Sequence, residues 1–104
     1  MRRFGFVYNP TSDLALEAWD EAAGWCAAHG IEHWGFAAEE QESIAKALPG
    51  SEVLFSLGGD GTFLRAAAAV AAHGVPLLGV NLGKIGFLAR SESFQLAVAL
   101  QAFA

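Results

Sequence analysis

The sequence predicts an α/β domain built on a parallel sheet. Strand-like and helix-like segments alternate along the chain, which is the pattern of strands joined by helical crossovers. The segment "VLFSL" carries only one polar residue, as a strand buried on both faces requires. Two of the helix-like segments close on a glycine, Gly30 and Gly74, the residue that most readily ends a helix.

Each element follows from its residues. Arg3 to Tyr8 is short, rich in aromatic residues and stopped by Asn9-Pro10, so it reads as a first strand. Thr11 or Ser12 can cap a helix, with Asp13 in its favourable first turn. Leu16, Trp19, Ala23 and Cys26 then recur at helical spacing up to His29-Gly30. Ile31 to Phe36 reads as a second strand, and Ser43 to Leu48 as a short helix stopped by Pro49-Gly50. Glu52 to Leu57 is the clearest strand, Thr62 to His73 a third helix, and Val75 to Val80 a fourth strand. From Ser91 to Ala104 the pattern turns helical again. In such sheets ligands bind beyond the carboxyl ends of the strands. Asn9-Pro10, the loop from Gly58 to Thr62, and Asn81 all fall at those ends.

Composition narrows the function classes. A chain of 104 residues, 54% of them hydrophobic, is one small folded domain. Its net charge of −5 and six scattered basic residues argue against a nucleic-acid or membrane-surface footprint. Cys26 is the single cysteine, so there is no internal disulfide and no thiolate set for a structural zinc, which suits a reducing, cytoplasmic setting. The apolar stretch "FGFVY" ends too soon for a signal peptide, and no run approaches transmembrane length. His29, His33 and His73 show no ligand spacing, and Trp19, Trp25 and Trp34 read as packing residues.

The chemistry concentrates in "GGDGT", Gly58 to Thr62, between the buried strand and the alanine-rich helix. A helix N-terminus exposes free N–H groups that favour phosphate, and glycines let a ligand approach the backbone. Gly58, Gly59 and Gly61 suit a nucleotide loop; a tight turn that needs glycine only for its geometry is the alternative. The loop is not a dinucleotide fingerprint, because Gly59-Asp60-Gly61-Thr62-Phe63 runs on into Leu64. It is not a Walker A loop either, because Gly83-Lys84 precedes Ile85. Asp60 could bind a metal, accept from a substrate hydroxyl or take its proton, all parts of phosphoryl transfer. It could also cap the following helix.

"GGDGT" resembles the signature shared by NAD kinases, diacylglycerol kinases and sphingosine kinases, and "GVNLGKIGFLA", Gly79 to Ala89, resembles the NAD kinase branch. The first-strand ending "VYNP" is similar to that group's nucleotide-side loop. The resemblance implies a Rossmann-like N-terminal α/β domain spanning residues 1–104, with the family's β-rich C-terminal domain lying beyond this sequence. It implies transfer of the ATP γ-phosphate to the 2′-hydroxyl of the adenosine ribose of NAD, with a divalent metal such as Mg²⁺. By the same resemblance Asp60 is the proton acceptor, and Asp60, Gly61, Arg65 and Phe87 serve NAD. Asn9, Gly58, Gly59 and Thr62 would lie near the ATP phosphates. Arg65 could instead be a solvated helix face, Phe87 a core residue and Lys84 a surface lysine. Two rival functions stay open at this point: a lipid kinase of the same superfamily, and a non-catalytic nucleotide-binding module. The resemblance also implies a homo-oligomer for the full-length enzyme, and little activity for this domain by itself.

Overall fold

The computed structural model describes residues 2–81. Arg3–Tyr8 forms β1, Asp13–Ala28 α1, Glu32–Ala37 β2, Gln41–Ala47 α2, Val53–Gly58 β3, Asp60–Val70 α3 and Leu77–Asn81 β4. The four strands make one parallel sheet in the order β2-β1-β3-β4. The α/β parallel-sheet expectation therefore holds for the described residues. No helix among them is long and apolar enough to cross a membrane. Phe87, Lys84 and the helix expected from Ser91 to Ala104 lie outside the described residues.

Period-two alternation divides the sheet into two packed faces. On one face Phe4, Phe6, Val53, Phe55, Leu57 and Val80 meet α1. On the other, Val7 and Leu54 meet Ile44 and Leu48 from the α2 segment and Ala66 of α3. The central strands β1 and β3 are thus covered on both sides, which explains why β3 tolerates a single hydroxyl, Ser56. Phe6 stacks on Phe55 at 5.0 Å between ring centroids, fastening the two strands from within the α1 face.

The inward side of α1 differs from its expected apolar repeat. Ala15, Ala18, Ala22 and Cys26 are buried, Trp19 is half-buried, and Leu16 is 40% exposed. Small residues win the sheet-facing positions because α1 lies close to an aromatic surface. Trp19 then reaches sideways, packing on Phe6 and Tyr8 and covering Gly35, where a Cβ would come within 2.5 Å of its ring.

Boundaries shift for local reasons. Ser12 caps α1 by accepting from the Ala15 N–H at 3.2 Å. Ile31 still donates to the Cys26 carbonyl at 2.9 Å, so β2 begins one residue later than its apolar pattern suggests. Pro76 cannot donate to a ladder, and β4 starts after it. The third helix starts two residues early, at Asp60, and stops at Val70, where Gly74 at φ +66° closes the turn.

Candidate functional site

The strand order reverses between β1 and β3: β2 lies to one side of β1, and β3 and β4 to the other. At such a switch point the loops leaving neighbouring strands part in opposite directions and open a crevice. Here those loops begin at Asn9 and at Gly58. The Asn9 N–H donates to the Leu57 carbonyl at 3.2 Å, which ties the two exits together.

Gly58 makes the sharp departure from β3. Its φ of +154° favours glycine, and a Cβ there would stand 2.8 Å from Thr62 Oγ1 and 3.3 Å from Asn9 Cβ. Gly59 is the N-cap of α3 and supplies no side-chain cap. Its carbonyl accepts from the Phe63 N–H at 3.1 Å, and the earlier N–H groups of the first turn have no intrahelical acceptor. Glycine at the cap leaves that positive end of the helix open to a ligand.

Asp60 is the first residue of α3 and is exposed. The cap position belongs to Gly59, so helix capping does not occupy the carboxylate. No hydrogen bond or ion pair engages it among the described residues. Its carboxylate is available for an acceptor role.

A cleft of about 240 Å³ opens at this edge, lined by Ser56, Gly58, Gly59, Asp60, Phe63, Gly79 and Val80. Ser56 and Gly79 are register partners on β3 and β4, so they lie side by side on one face of the sheet. The Phe63 ring rests on Gly79, where a Cβ would come to 2.7 Å from Phe63 Cδ1.

Of the residues singled out in the sequence, Gly58, Gly59 and Asp60 come together on this cleft. Thr62 is buried under the loop against Gly58. Asn9 stands beside the loop, but its Oδ1 accepts from both the N–H and the hydroxyl of Thr11, at 3.0 and 2.8 Å, and so closes its own turn. Arg65 is exposed and donates to the Gly61 carbonyl at 3.4 Å; neither residue lines the cleft. Ser56, Phe63, Gly79 and Val80 complete the lining without having been singled out. A signal existed for two of them. Phe63 follows Asp60 at helical spacing, and a glycine inside a strand, such as Gly79, marks a close approach.

A parallel sheet with an uncapped helix N-terminus and a glycine exit at its switch point defines a Rossmann-like α/β domain. The family model for the ATP-NAD kinase N-terminal domain matches residues 20–104, and the chain belongs to that family. It is 32% identical over 87 residues to an NAD kinase of Dehalococcoides mccartyi, covering 84% of this chain and 31% of that protein. It is 40% identical over 88 residues to an NAD kinase of Mycobacterium bovis, covering 85% and 29%. It is 56% identical over 52 residues to NAD kinase 2 of Streptomyces avermitilis, covering 50% and 17%. The chain therefore spans less than a third of the length of these relatives.

Proposed function

We propose that this chain supplies the nucleotide-side wall of an NAD kinase, which transfers the ATP γ-phosphoryl group to the 2′-hydroxyl of the adenosine ribose of NAD. The observation that carries the reading is the position of Asp60. The "GGDGT" loop presents its uncommitted carboxylate at the mouth of the cleft, beside an open helix N-terminus.

In this reaction the ribose 2′-oxygen forms a bond to the γ-phosphorus while the bond between that phosphorus and the β,γ-bridging oxygen breaks. ADP leaves, and Asp60 receives the hydroxyl proton. The chain's contribution is positional and electrostatic: Gly58 and Gly59 keep side chains out of the way, and the first-turn N–H groups of α3 face the phosphates. By the family resemblance Gly61 and Arg65, both exposed, serve NAD, while Asn9 and Thr62 stand beside the ATP phosphates with Thr62 packed under Gly58. Phe87, through its resemblance to the family's adenine-packing aromatic, belongs to the NAD side.

A Mg²⁺ ion fits this donor set only together with nucleotide phosphates. Among the described residues Asp60 is the one carboxylate lining the cleft, and no group of three His, Cys, Asp or Glu side chains there could hold a metal. When bound, the ion neutralises phosphate charge. The reading places the enzyme in the cytoplasm, as a homo-oligomer whose substrate site is completed by the rest of the protein.

Asp60→Asn in the complete enzyme tests the assignment. NADP formation should fall by about 10²–10⁴-fold, the usual worth of a positioned general base, while NAD affinity stays within a few-fold of wild type. Unchanged turnover would reject the role.

A further inference from the structure

Ser56 is the polar exception in β3, a strand buried at all six positions. The residue is 1% exposed. Its hydroxyl is not among the fully buried side-chain polar atoms that lack a partner, which for the described residues is Arg3 Nε. Ser56 lines the cleft, so what access its hydroxyl keeps is to the cleft. Its register partner Gly79 carries no side chain, and the Phe63 ring resting on Gly79 forms the cleft wall next to Ser56. Two residues further along the same face, Gly58 leads to the uncapped start of α3.

These observations converge on one acceptor chemistry. The open N–H groups at the start of an 11-residue helix are donors, and so is a serine hydroxyl. We propose that Ser56 is a further ligand-binding residue of the cleft, donating its hydroxyl to a phosphate oxygen of the nucleotide held at the α3 N-terminus. The proposal rests on the nucleotide reading above and assigns a contact that the "GGDGT" loop alone does not include. Ser56 takes no proton and breaks no bond; it completes a donor set whose other members are backbone.

The two possible roles of Ser56 have opposite signatures. Removing a hydroxyl that serves only a ligand leaves the free protein about as stable or more so, whereas removing a structural hydrogen bond destabilises it. The experiment compares wild type and Ser56→Ala, carried in the complete protein, by calorimetric titration with ATP and with adenosine, alongside thermal unfolding without ligand. The expected result is an unchanged or raised Tm, about a tenfold weaker ATP affinity, as for loss of one hydrogen bond to a charged group, and unaltered adenosine binding. Equal ATP affinity in the two proteins overturns the Ser56 contact while leaving the nucleotide reading intact. A lowered Tm with ATP and adenosine weakened together also overturns it, in favour of a structural hydroxyl. Wild type that binds neither compound overturns the nucleotide reading and the Ser56 contact with it.

Discussion

Single residues at the loop have sharply defined tolerances. Gly58 combines a glycine-favouring φ of +154° with a would-be Cβ only 2.8 Å from Thr62 Oγ1. Gly58→Ala should therefore cost about 1–3 kcal/mol from backbone strain, with the crowding against Thr62 adding to it, as read by urea denaturation. Gly59 has open space around its Cβ position and no positive φ, so Gly59→Ala should cost much less. Cys26 presents the opposite situation, a thiol sealed under α1, with burial raising its pKa from 9.0 to about 11. Thiolate is the reactive form, so Cys26 should resist disulfide reagents at pH 8 in the native state and react fully once unfolded. The sign of the linkage follows from the same shift. Between pH 9 and 11 the unfolded thiol ionises while the folded one keeps its proton, so this group's contribution to stability is complete below pH 9 and declines across that interval.

At the scale of elements, the spacing between α3 and β4 is held by an aromatic ring on a glycine. Phe63 directly follows the "GGDGT" motif and Gly79 opens the second block, so their contact sets the distance between the two sequence blocks. Gly79→Ala should destabilise by about 1–3 kcal/mol, as overpacking does, and Phe63→Ala should lose packing of its own. The double variant should be less damaged than the sum of the two, and chemical denaturation of all four proteins would measure that coupling. The elements themselves were largely legible in the sequence, because each owes its existence to local chemistry: the Ser12 cap, the Gly30 and Gly74 stops, and the apolar run of β3. The packing face of α1 was not. Leu16 and Trp19 mark a helical stripe by hydrophobicity, but the sheet selects for size, and Ala15, Ala18 and Ala22 fit where leucine does not. The site was legible where one motif builds it and obscure where strands far apart meet. Asp60 announces itself within five residues, whereas Ser56 beside Gly79 emerges only from the β3–β4 register.

For the whole molecule, family membership and coverage together shape the activity. The relatives are more than three times as long as the matched segment, and in the proposed reading the domain's cleft is one face of a larger site. The 104 residues expressed by themselves should form NADP at less than about a hundredth of the rate of a complete relative, since catalysis by positioning fails when substrate is held from one side. A coupled NADP assay checks this directly. The net charge of −5 makes binding of an anionic substrate a local affair, in which backbone dipoles must outweigh the overall field.

The sheet order also bears on how the chain acquires its structure during synthesis. β1 lies between β2 and β3, and the paired starts of β1 and β3 are joined by the Arg2–Glu52 ion pair across 50 residues. When β1 and β2 have left the ribosome, one whole edge of β1 is still bare, with Phe4 and Phe6 deprived of Phe55. That edge is a template for any passing strand until Val53–Gly58 emerges and inserts beside it. The segment that carries the glycine loop is therefore also the one that closes the sheet, so ribosomes paused before residue 53 should present an aggregation-prone nascent chain, and those paused well beyond residue 58 a protected one.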